Sequence, residues 1–255
     1  MDSAAFAHMA ATESSHWWFV GRRAVIDALI SGLDLPEAGK ILEAGCGTGG
    51  NIATLRRYGR VSAFEPHVDA LAYARERHPD DDILPGALPS QVPHESGSFD
   101  LVAALDVLEH VDDDVGSADA LADLVRPGGW LIVTVPGHQA LWGSHDRRLY
   151  HVRRYGRSEM LRLFEREDLE LVRCTPFNMV LAPIAVLYRI LETVLRLDLG
   201  NQERVPPSLL NRLLGRIFRM EARWVRSGRG LPFGISYAAV FRRRGPAADS
   251  SHGEG

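Results

Sequence analysis

The chain has 255 residues, a net charge of -4 and a hydrophobic fraction of 45%. This length suits one large α/β domain or a core with an added cap, and the apolar fraction suffices for a sizeable core. The acidic balance argues against a general nucleic-acid surface, which needs a basic excess. The two cysteines, Cys46 and Cys174, lack metal-ligand spacing and suggest no secreted disulfide framework, so a reducing cytoplasm fits best.

The N-terminal segment, 1–35, is predicted to form a helical cap. Its alanine-rich start lacks the basic region and the apolar core of a signal peptide. An aromatic cluster at 16–19 precedes a helical pattern over 22–30. We expect these aromatic side chains to pack on the core or over its open edge.

From Lys40 onward, apolar runs alternate with helical patterns, which is typical of a parallel sheet flanked by helices. Helices are predicted at 51–58, 68–77 and 113–125, with a turn at 127–129. The pattern predicts seven strands, at 41–44, 61–65, 82–85, 101–105, 130–135, 169–175 and 236–242.

The predicted core, 36–176 and 234–244, is interrupted by a second helical region. Residues 177–233 read as amphipathic helices broken by two prolines, and they separate the last two strands by more than a hairpin. We interpret this region as an inserted helical cap. The tail, 245–255, has the composition of a disordered segment.

The cap carries a series of apolar side chains. If the series faces the site, it favours a hydrophobic or aromatic substrate. Plain core packing, a homodimer surface and contact with a membrane are the alternatives. The longest apolar run, 179–188, is shorter than the roughly 20 residues that span a bilayer, so we expect a soluble protein. The apolar residues are Phe177, Met179, Leu181, Ile184, Leu187, Tyr188 and Leu191.

A glycine-rich turn follows the first predicted strand. Gly45, Gly47 and Gly50 fit a dinucleotide fingerprint, and Glu65 at the end of the second strand is placed to accept two ribose hydroxyls. Glycines there tolerate positive φ and let a ligand lie against bare backbone. This spacing leaves NAD, S-adenosylmethionine (SAM) and a structural turn open.

Further motifs accompany the glycine turn. Glu43 precedes it, Phe99 and Asp100 open the fourth strand, which is followed by the motif 106–110 (Asp-Val-Leu-Glu-His), and Pro-Gly-Gly at 127–129 precedes the fifth. With these motifs the chain resembles the class I SAM-dependent methyltransferases over roughly 40–136, and particularly the small-molecule subgroup that includes ubiquinone-biosynthesis O-methyltransferases.

The resemblance implies a Rossmann-like α/β fold, with a mostly parallel sheet in the order 3-2-1-4-5-7-6. It implies that the glycine turn holds the methionine part of SAM and that Glu65 binds the ribose hydroxyls. The segment after the third strand is then expected to bind the adenine, and the segment 106–108 is expected to line the cofactor beneath the methyl group. Many relatives have an aspartate where Ala87 stands, so either backbone groups of Ala87 and Leu88 bind the adenine instead, or adenine recognition is looser. The full cofactor set is Glu43, Gly45, Cys46, Gly47, Gly49, Glu65, Pro66, Ala87, Leu88, Asp106, Val107 and Leu108.

Two residues of the N-terminal segment, Trp18 and Arg22, are added to this cofactor set. A guanidinium fork matches the methionine carboxylate of SAM, so Arg22 and Arg23, with Trp17 and Trp18, are candidates to fold over the cofactor and pair with this carboxylate. The alternative is that Trp17 and Trp18 only anchor their helix to the core.

The predicted reaction is methyl transfer to a hydroxyl of a small, hydrophobic or natural-product-like acceptor, releasing S-adenosylhomocysteine. Oxygen is favoured over nitrogen or carbon only by family habit. Such a reaction needs a positioned acceptor and a base. The candidates are His110, at the end of the fourth strand, and His145, Asp146 and His151, in a polar loop after the fifth.

Three alternatives accompany this prediction. Glu109, together with the catalytic candidates, could gather a divalent metal, but the spacing matches no compact motif and no metal is predicted. An NAD-dependent oxidoreductase is disfavoured because no Tyr-x-x-x-Lys pair occurs. A non-catalytic SAM-binding module stays open, because a fold does not imply a function.

Overall fold

The computed structural model describes residues 3–187 and 205–245. Its sheet has seven strands in the order β3-β2-β1-β4-β5-β7-β6. Only β7 is antiparallel to its neighbours. The predicted fold class and strand order are therefore confirmed. The strands are β1 Lys40–Ala44, β2 Arg60–Glu65, β3 Asp82–Pro85, β4 Phe99–Leu105, β5 Val125–Pro136, β6 Leu169–Phe177 and β7 Ser236–Arg243.

The helices differ more from the prediction than the strands do. The helix predicted at 51–58 shrinks to four residues, and the one predicted from Arg22 begins at Trp17, because the His16 side chain caps it by accepting from the Trp18 N–H. Helices α1, α6 and α7 were not predicted. The helices are α1 Ser3–Thr12, α2 Trp17–Ile30, α3 Ile52–Leu55, α4 Val68–Arg77, α5 Asp114–Leu124, α6 Ser144–Arg148, α7 Arg157–Arg162 and α8 Ser208–Arg226.

The sheet is buried on both faces, as a parallel sheet with helices on either side must be. Alternate residues of β1 point to opposite faces, so Ile41 joins the core beneath α2 and α8, and Leu42 joins the core beneath α5. Both side chains are fully buried. Apolar runs in the central strands thus reflect two cores that share one sheet.

The position of the site follows from the strand order. β1 pairs in parallel with β2 on one side and with β4 on the other. The chain therefore leaves β1 and β4 in opposite directions, and a crevice opens beyond their carboxyl ends. The glycine turn follows β1, and Asp106 follows β4.

The second helical region is described in part. Phe177 ends β6, so it belongs to the sheet and not to the cap as predicted. Tyr188, Leu191 and the tail beyond Gly245 lie outside the described residues. None of the helices in the described ranges is long and apolar enough to cross a membrane. The division into core and cap stays a prediction.

Helices α2 and α8 pack closely at Gly21. A Cβ on Gly21 would lie 2.7 Å from the Cβ of Phe218 and closer still to its ring. We expect Gly21→Ala to lower the free energy of unfolding by about 1–3 kcal/mol, because this overlap outweighs the gain in helix propensity. Urea denaturation measures the change. Gly32→Ala is the matched control, since its Cβ would lie 3.7 Å from the nearest atom; equal stability of the two variants would contradict the expectation.

Candidate active site

The glycine turn has the backbone that its sequence predicts. Gly45 and Gly47 have φ values of 66° and 56°, in the left-handed region. A Cβ on Gly45 would press on Val107, whereas a Cβ on Gly47 would meet no atom within 4 Å. Gly47 thus exposes bare backbone to an open space, which fits a ligand lying against it.

A cavity of about 880 Å³ opens beside this turn. It is lined by residues from α1, α2, the turns after β1, β2 and β4, and the described part of the cap. The sequence-predicted site residues that line it are Trp18, Arg22, Gly45, Cys46, Gly47, Glu65, Pro66, Ala87, Leu88, Asp106, Val107, His110, His145 and His151. Those that do not line it are Glu43, Gly49, Leu108 and Asp146.

Glu65 stands at the end of β2 with its carboxylate held by backbone donors. The Gly47 N–H donates to Oε2 at 2.8 Å, and the His67 N–H donates to Oε1 at 2.9 Å. Each oxygen keeps acceptor capacity for a ligand hydroxyl. Burial raises the pKa of Glu65, which these hydrogen bonds partly offset.

The segment after β3 corrects one expectation. The Ala87 N–H donates to the Gln91 carbonyl at 3.0 Å, and the Gln91 N–H donates back to the Ala87 carbonyl at 2.9 Å. Because this bridge uses the Ala87 N–H, that group is not available to an adenine ring. Of the two predicted backbone donors, Leu88 is the one that remains.

Glu43 lies beneath the glycine turn and is 1% exposed. The Asn51 side chain donates to Oε1 at 2.7 Å, while Oε2 is buried with no hydrogen-bond partner among the described residues. Burial raises the pKa of Glu43 to about 8. Because Glu43 does not line the cavity, it contacts the site only through Asn51, which does line it.

This shift predicts how stability depends on pH in the cofactor-free chain. A raised folded-state pKa stabilises the protein below the unfolded value of 4.5, and that contribution is lost as pH rises through about 8. We expect wild type to lose roughly 2–3 kcal/mol relative to Glu43→Gln between pH 5.5 and 8. Urea denaturation of both proteins at both pH values measures this difference. Parallel pH dependences would contradict the assignment.

Arg22 is 5% exposed and reaches the cavity from α2. Its Nε lies 2.6 Å from Oδ2 of Asp106 and forms an ion pair with it, although the angles do not satisfy those of a hydrogen bond. The guanidinium carbon lies over Trp18, 5.4 Å from the ring centroid. Asp106 itself has a φ of 57°, which is unusual for a residue with a side chain. The sequence prediction that Arg22 and Trp18 approach the cofactor site thus has matching geometry.

The histidines predicted to act in catalysis meet near one wall of the cavity. The ring centroids of His110 and His151 are 4.7 Å apart, and those of His145 and His151 are 6.5 Å apart. His110 is exposed and lines the cavity; desolvation by the groups around its ring, together with the neighbouring His151, lowers its pKa to about 3. The cluster unites β4 with the segment that follows β5.

Asp146 has a different place from the one predicted. It lies in the short helix α6, not in a polar surface loop, and it is fully buried. Its Oδ1 is 3.0 Å from Nδ1 of His151 and accepts from Nε of Arg154 at 2.7 Å. Burial raises the pKa of Asp146, but the hydrogen bonds from His151, Arg154 and Gly143 hold it below its usual range. Asp146 therefore contacts the cavity only indirectly, through His151 and Arg154, which both line it.

Glu109 adds a carboxyl group to the cluster. It is 1% exposed, and burial, with the nearby Asp106, raises its pKa well above the usual range. One ligand atom each of Glu109, His110 and His151 lies within 4.8 Å of the others, a set that could hold a divalent cation. His145 and Asp146 are not in this set. The absence of a metal stays a prediction.

Sequence reasoning placed Trp18 and Arg22 at the site but missed the contribution of α1 to the cavity. Helix α1 lines it with Phe6 and Met9, and Glu13 accepts a hydrogen bond from Thr48 Oγ1 at 2.6 Å while pairing with Arg77. Glu13 thereby ties the segment to the glycine turn. The alanine-rich sequence carries no apolar periodicity that could have signalled this packing.

Comparisons with known proteins agree with this geometry. Residues 42–133 match the family model described as a methyltransferase domain. A Mycolicibacterium smegmatis protein named as a probable S-adenosylmethionine-dependent methyltransferase is 31% identical over 51% of this chain. The ubiquinone biosynthesis O-methyltransferase of Escherichia coli is 30% identical over 52% of this chain and 68% of its own length. The chain belongs to the class I SAM-dependent methyltransferases.

Solved structures support the fold of this methyltransferase. A Haloferax volcanii protein, solved in complex with a methyltransferase activator, has a TM-score of 0.60 at 17% identity, and the match covers 96% of both chains.

The match to the mycobacterial relative spans 51% of that relative's length. Family membership confirms the prediction of SAM as the cofactor over NAD.

Proposed function

We propose that this methyltransferase transfers the methyl group of SAM to a hydroxyl of a small, hydrophobic acceptor and releases S-adenosylhomocysteine. One observation carries the proposal. The open glycine turn and the Glu65 carboxylate share a single cavity with His110 and His151, so a cofactor bound at the turn would lie in the same cavity as a candidate base.

The residues present fit SAM. Glu65 would accept the ribose hydroxyls, Leu88 would donate to the adenine, and the bare backbone at Gly47 would lie against the methionine part. Arg22 would bind the methionine carboxylate, for which its buried guanidinium has the right shape and charge. SAM supplies an already activated methyl group, so the protein has to position the acceptor and remove its proton.

His151 is proposed as the base. The Asp146 carboxylate would orient the ring by accepting a hydrogen bond from the Nδ1–H of His151. This leaves Nε2 of His151 to take the proton of the acceptor hydroxyl. The anionic Asp146 then stabilises the imidazolium that forms. His110, with its lowered pKa, stays neutral beside it and contacts the acceptor.

The acceptor side of the cavity is apolar. Leu181, Ile184 and Ala185 line it from the cap, Leu214 from α8 and Leu149 from the segment after α6. A pocket lined in this way favours a ring or an alkyl chain over a charged acceptor. The acceptor class proposed is therefore a phenol, a catechol or a similar hydroxyl on an apolar body.

The test is turnover with SAM carrying an isotopic label in its methyl group. Apolar phenols and catechols are offered beside amines of matched size, and both labelled product and S-adenosylhomocysteine are measured. Label in the hydroxyl compounds supports the proposal. Label in amines alone would replace the proposed acceptor atom, and tight S-adenosylhomocysteine binding without turnover of any compound would favour a non-catalytic SAM-binding module.

A further inference from the structure

Helix α8 exposes a stripe of large apolar side chains. Leu209, Leu213, Met220 and Trp224 are spaced by four, seven and four residues, so they lie along one side of the helix. Their exposed fractions are 75%, 52%, 62% and 50%. The opposite side, with Phe218 and Val225, packs on the core. This stripe therefore does not contribute to the core beneath α8.

A row of arginines runs beside the apolar stripe. Arg212, Arg216, Arg219 and Arg223 are spaced by four, three and four residues, so they also share one side of the helix, and all four are exposed. The single acidic residue of α8, Glu221, is 2% exposed and accepts from the Val180 N–H, so the exposed side of the helix carries no negative charge. The outward face of α8, defined by these four apolar residues and four arginines, is thus both apolar and cationic.

A second apolar row lies next to this helix. The Val180 N–H donates to Glu221 at 2.9 Å, which joins the start of the segment 180–187 to α8. Val180, Ile184 and Leu187 are 46%, 63% and 57% exposed, at a spacing that places them on one side of a helical turn. The apolar area therefore extends beyond α8.

We infer that the outward face of α8 docks this protein onto an anionic lipid bilayer. An apolar stripe flanked by cations is the arrangement of helices that lie in the plane of a membrane. Arginine stems can lie along apolar surface while their heads meet lipid phosphates, and a negatively charged leaflet attracts them. A symmetric dimer through this face would instead bring two arginine rows together with no exposed acid on α8 to pair with them.

Docking has a consequence for the acceptor, which rests on the proposed function. Ile184 belongs to the exposed apolar row and also lines the cavity. Leu214 of α8 lines the cavity as well. A bilayer held against this face therefore lies at the apolar rim of the cavity. A lipid-soluble acceptor could enter from the membrane without crossing water.

Sedimentation with vesicles tests the inference. The full chain is mixed with vesicles of phosphatidylcholine alone or of phosphatidylcholine with phosphatidylglycerol, and the bound fraction is measured. We expect strong binding only to the anionic vesicles, weakened by salt. Replacing Leu209 and Leu213 by Glu, or Arg216 and Arg223 by Gln, is expected to reduce the partition coefficient on the order of tenfold or more.

Val115→Glu is the matched control, because Val115 is 58% exposed but lies on α5, against the other face of the sheet. It should bind vesicles as wild type does. Calorimetry with S-adenosylhomocysteine shows that each variant is folded, independently of any acceptor. Wild type that stays in the supernatant with both vesicles overturns the inference. The inference is also overturned if gel filtration shows a dimer that the Leu209→Glu, Leu213→Glu variant dissociates and no protein binds vesicles.

Discussion

Replacing His151 by Ala is expected to lower kcat by about 10²–10⁴-fold while the affinity for S-adenosylhomocysteine changes little. The ring lies in the cavity beside His110 and is held by Asp146, so its loss removes the proposed proton acceptor without altering the glycine turn. Single-turnover kinetics with the labelled cofactor and a hydroxyl acceptor measure the chemical step. Unchanged kcat in this variant would remove His151 from the mechanism.

Asp146→Asn separates orientation from general base action. The variant keeps the shape of the side chain but removes the charge that stabilises the imidazolium, so kcat should fall and the acid limb of the pH–rate profile should move to lower pH. A merely structural Asp146 would change stability without moving this limb. His145→Ala is the comparison, because its ring lies farther from that of His151 than the His110 ring does.

The same kinetics distinguish a base from a metal ligand. If Glu109, His110 and His151 bind a divalent cation, dialysis against a chelator abolishes activity and the added cation restores it. Under the base mechanism, the chelator leaves kcat unchanged. Loss of activity with the chelator would therefore assign His151 to a metal site and contradict the base assignment.

Replacing Glu65 by Ala is expected to weaken S-adenosylhomocysteine binding by about 10²–10⁴-fold. Two ribose hydroxyls would lose charged hydrogen bonds, each contributing about 1.5–3 kcal/mol, and the Gly47 and His67 N–H groups would lose their acceptor as well. Calorimetry measures the affinity, with NAD titrated separately. Glu76→Ala, at an exposed position of α4, is the matched control. Equal affinities of the two variants would place the ribose elsewhere.

Much of the fold could be predicted because its signals are local. Seven apolar runs of strand length alternate with helical patterns, and all seven strands occur in the structure. The helix predicted at 68–77 has the observed bounds, while α1 and α6 were missed because neither carries an apolar periodicity. Strand order came from family resemblance, since pairing depends on contacts that periodicity does not encode.

The site residues also divide into those that the local sequence predicts and those that depend on packing. The glycine turn and Glu65 were predictable because the conformation of a turn and the acid at a strand end depend on neighbouring residues. The prediction for Ala87 failed in part because Gln91, four residues on, takes its N–H. The burial of Asp146 and its role in holding His151 were not predictable, because burial is decided by what packs over the residue.

By itself, the sequence determined that this protein has a Rossmann-like sheet, a glycine turn after β1 and an acid at the end of β2. Only the tertiary structure decided that Arg22 pairs with Asp106, that Asp146 is buried against His151, and that α8 turns an apolar, arginine-flanked face outward. The physical reason is how far apart in the sequence the interacting residues lie. Backbone conformation and strand periodicity are set by residues a few positions apart, whereas a site and a surface are set by side chains that folding brings together from distant parts of the chain.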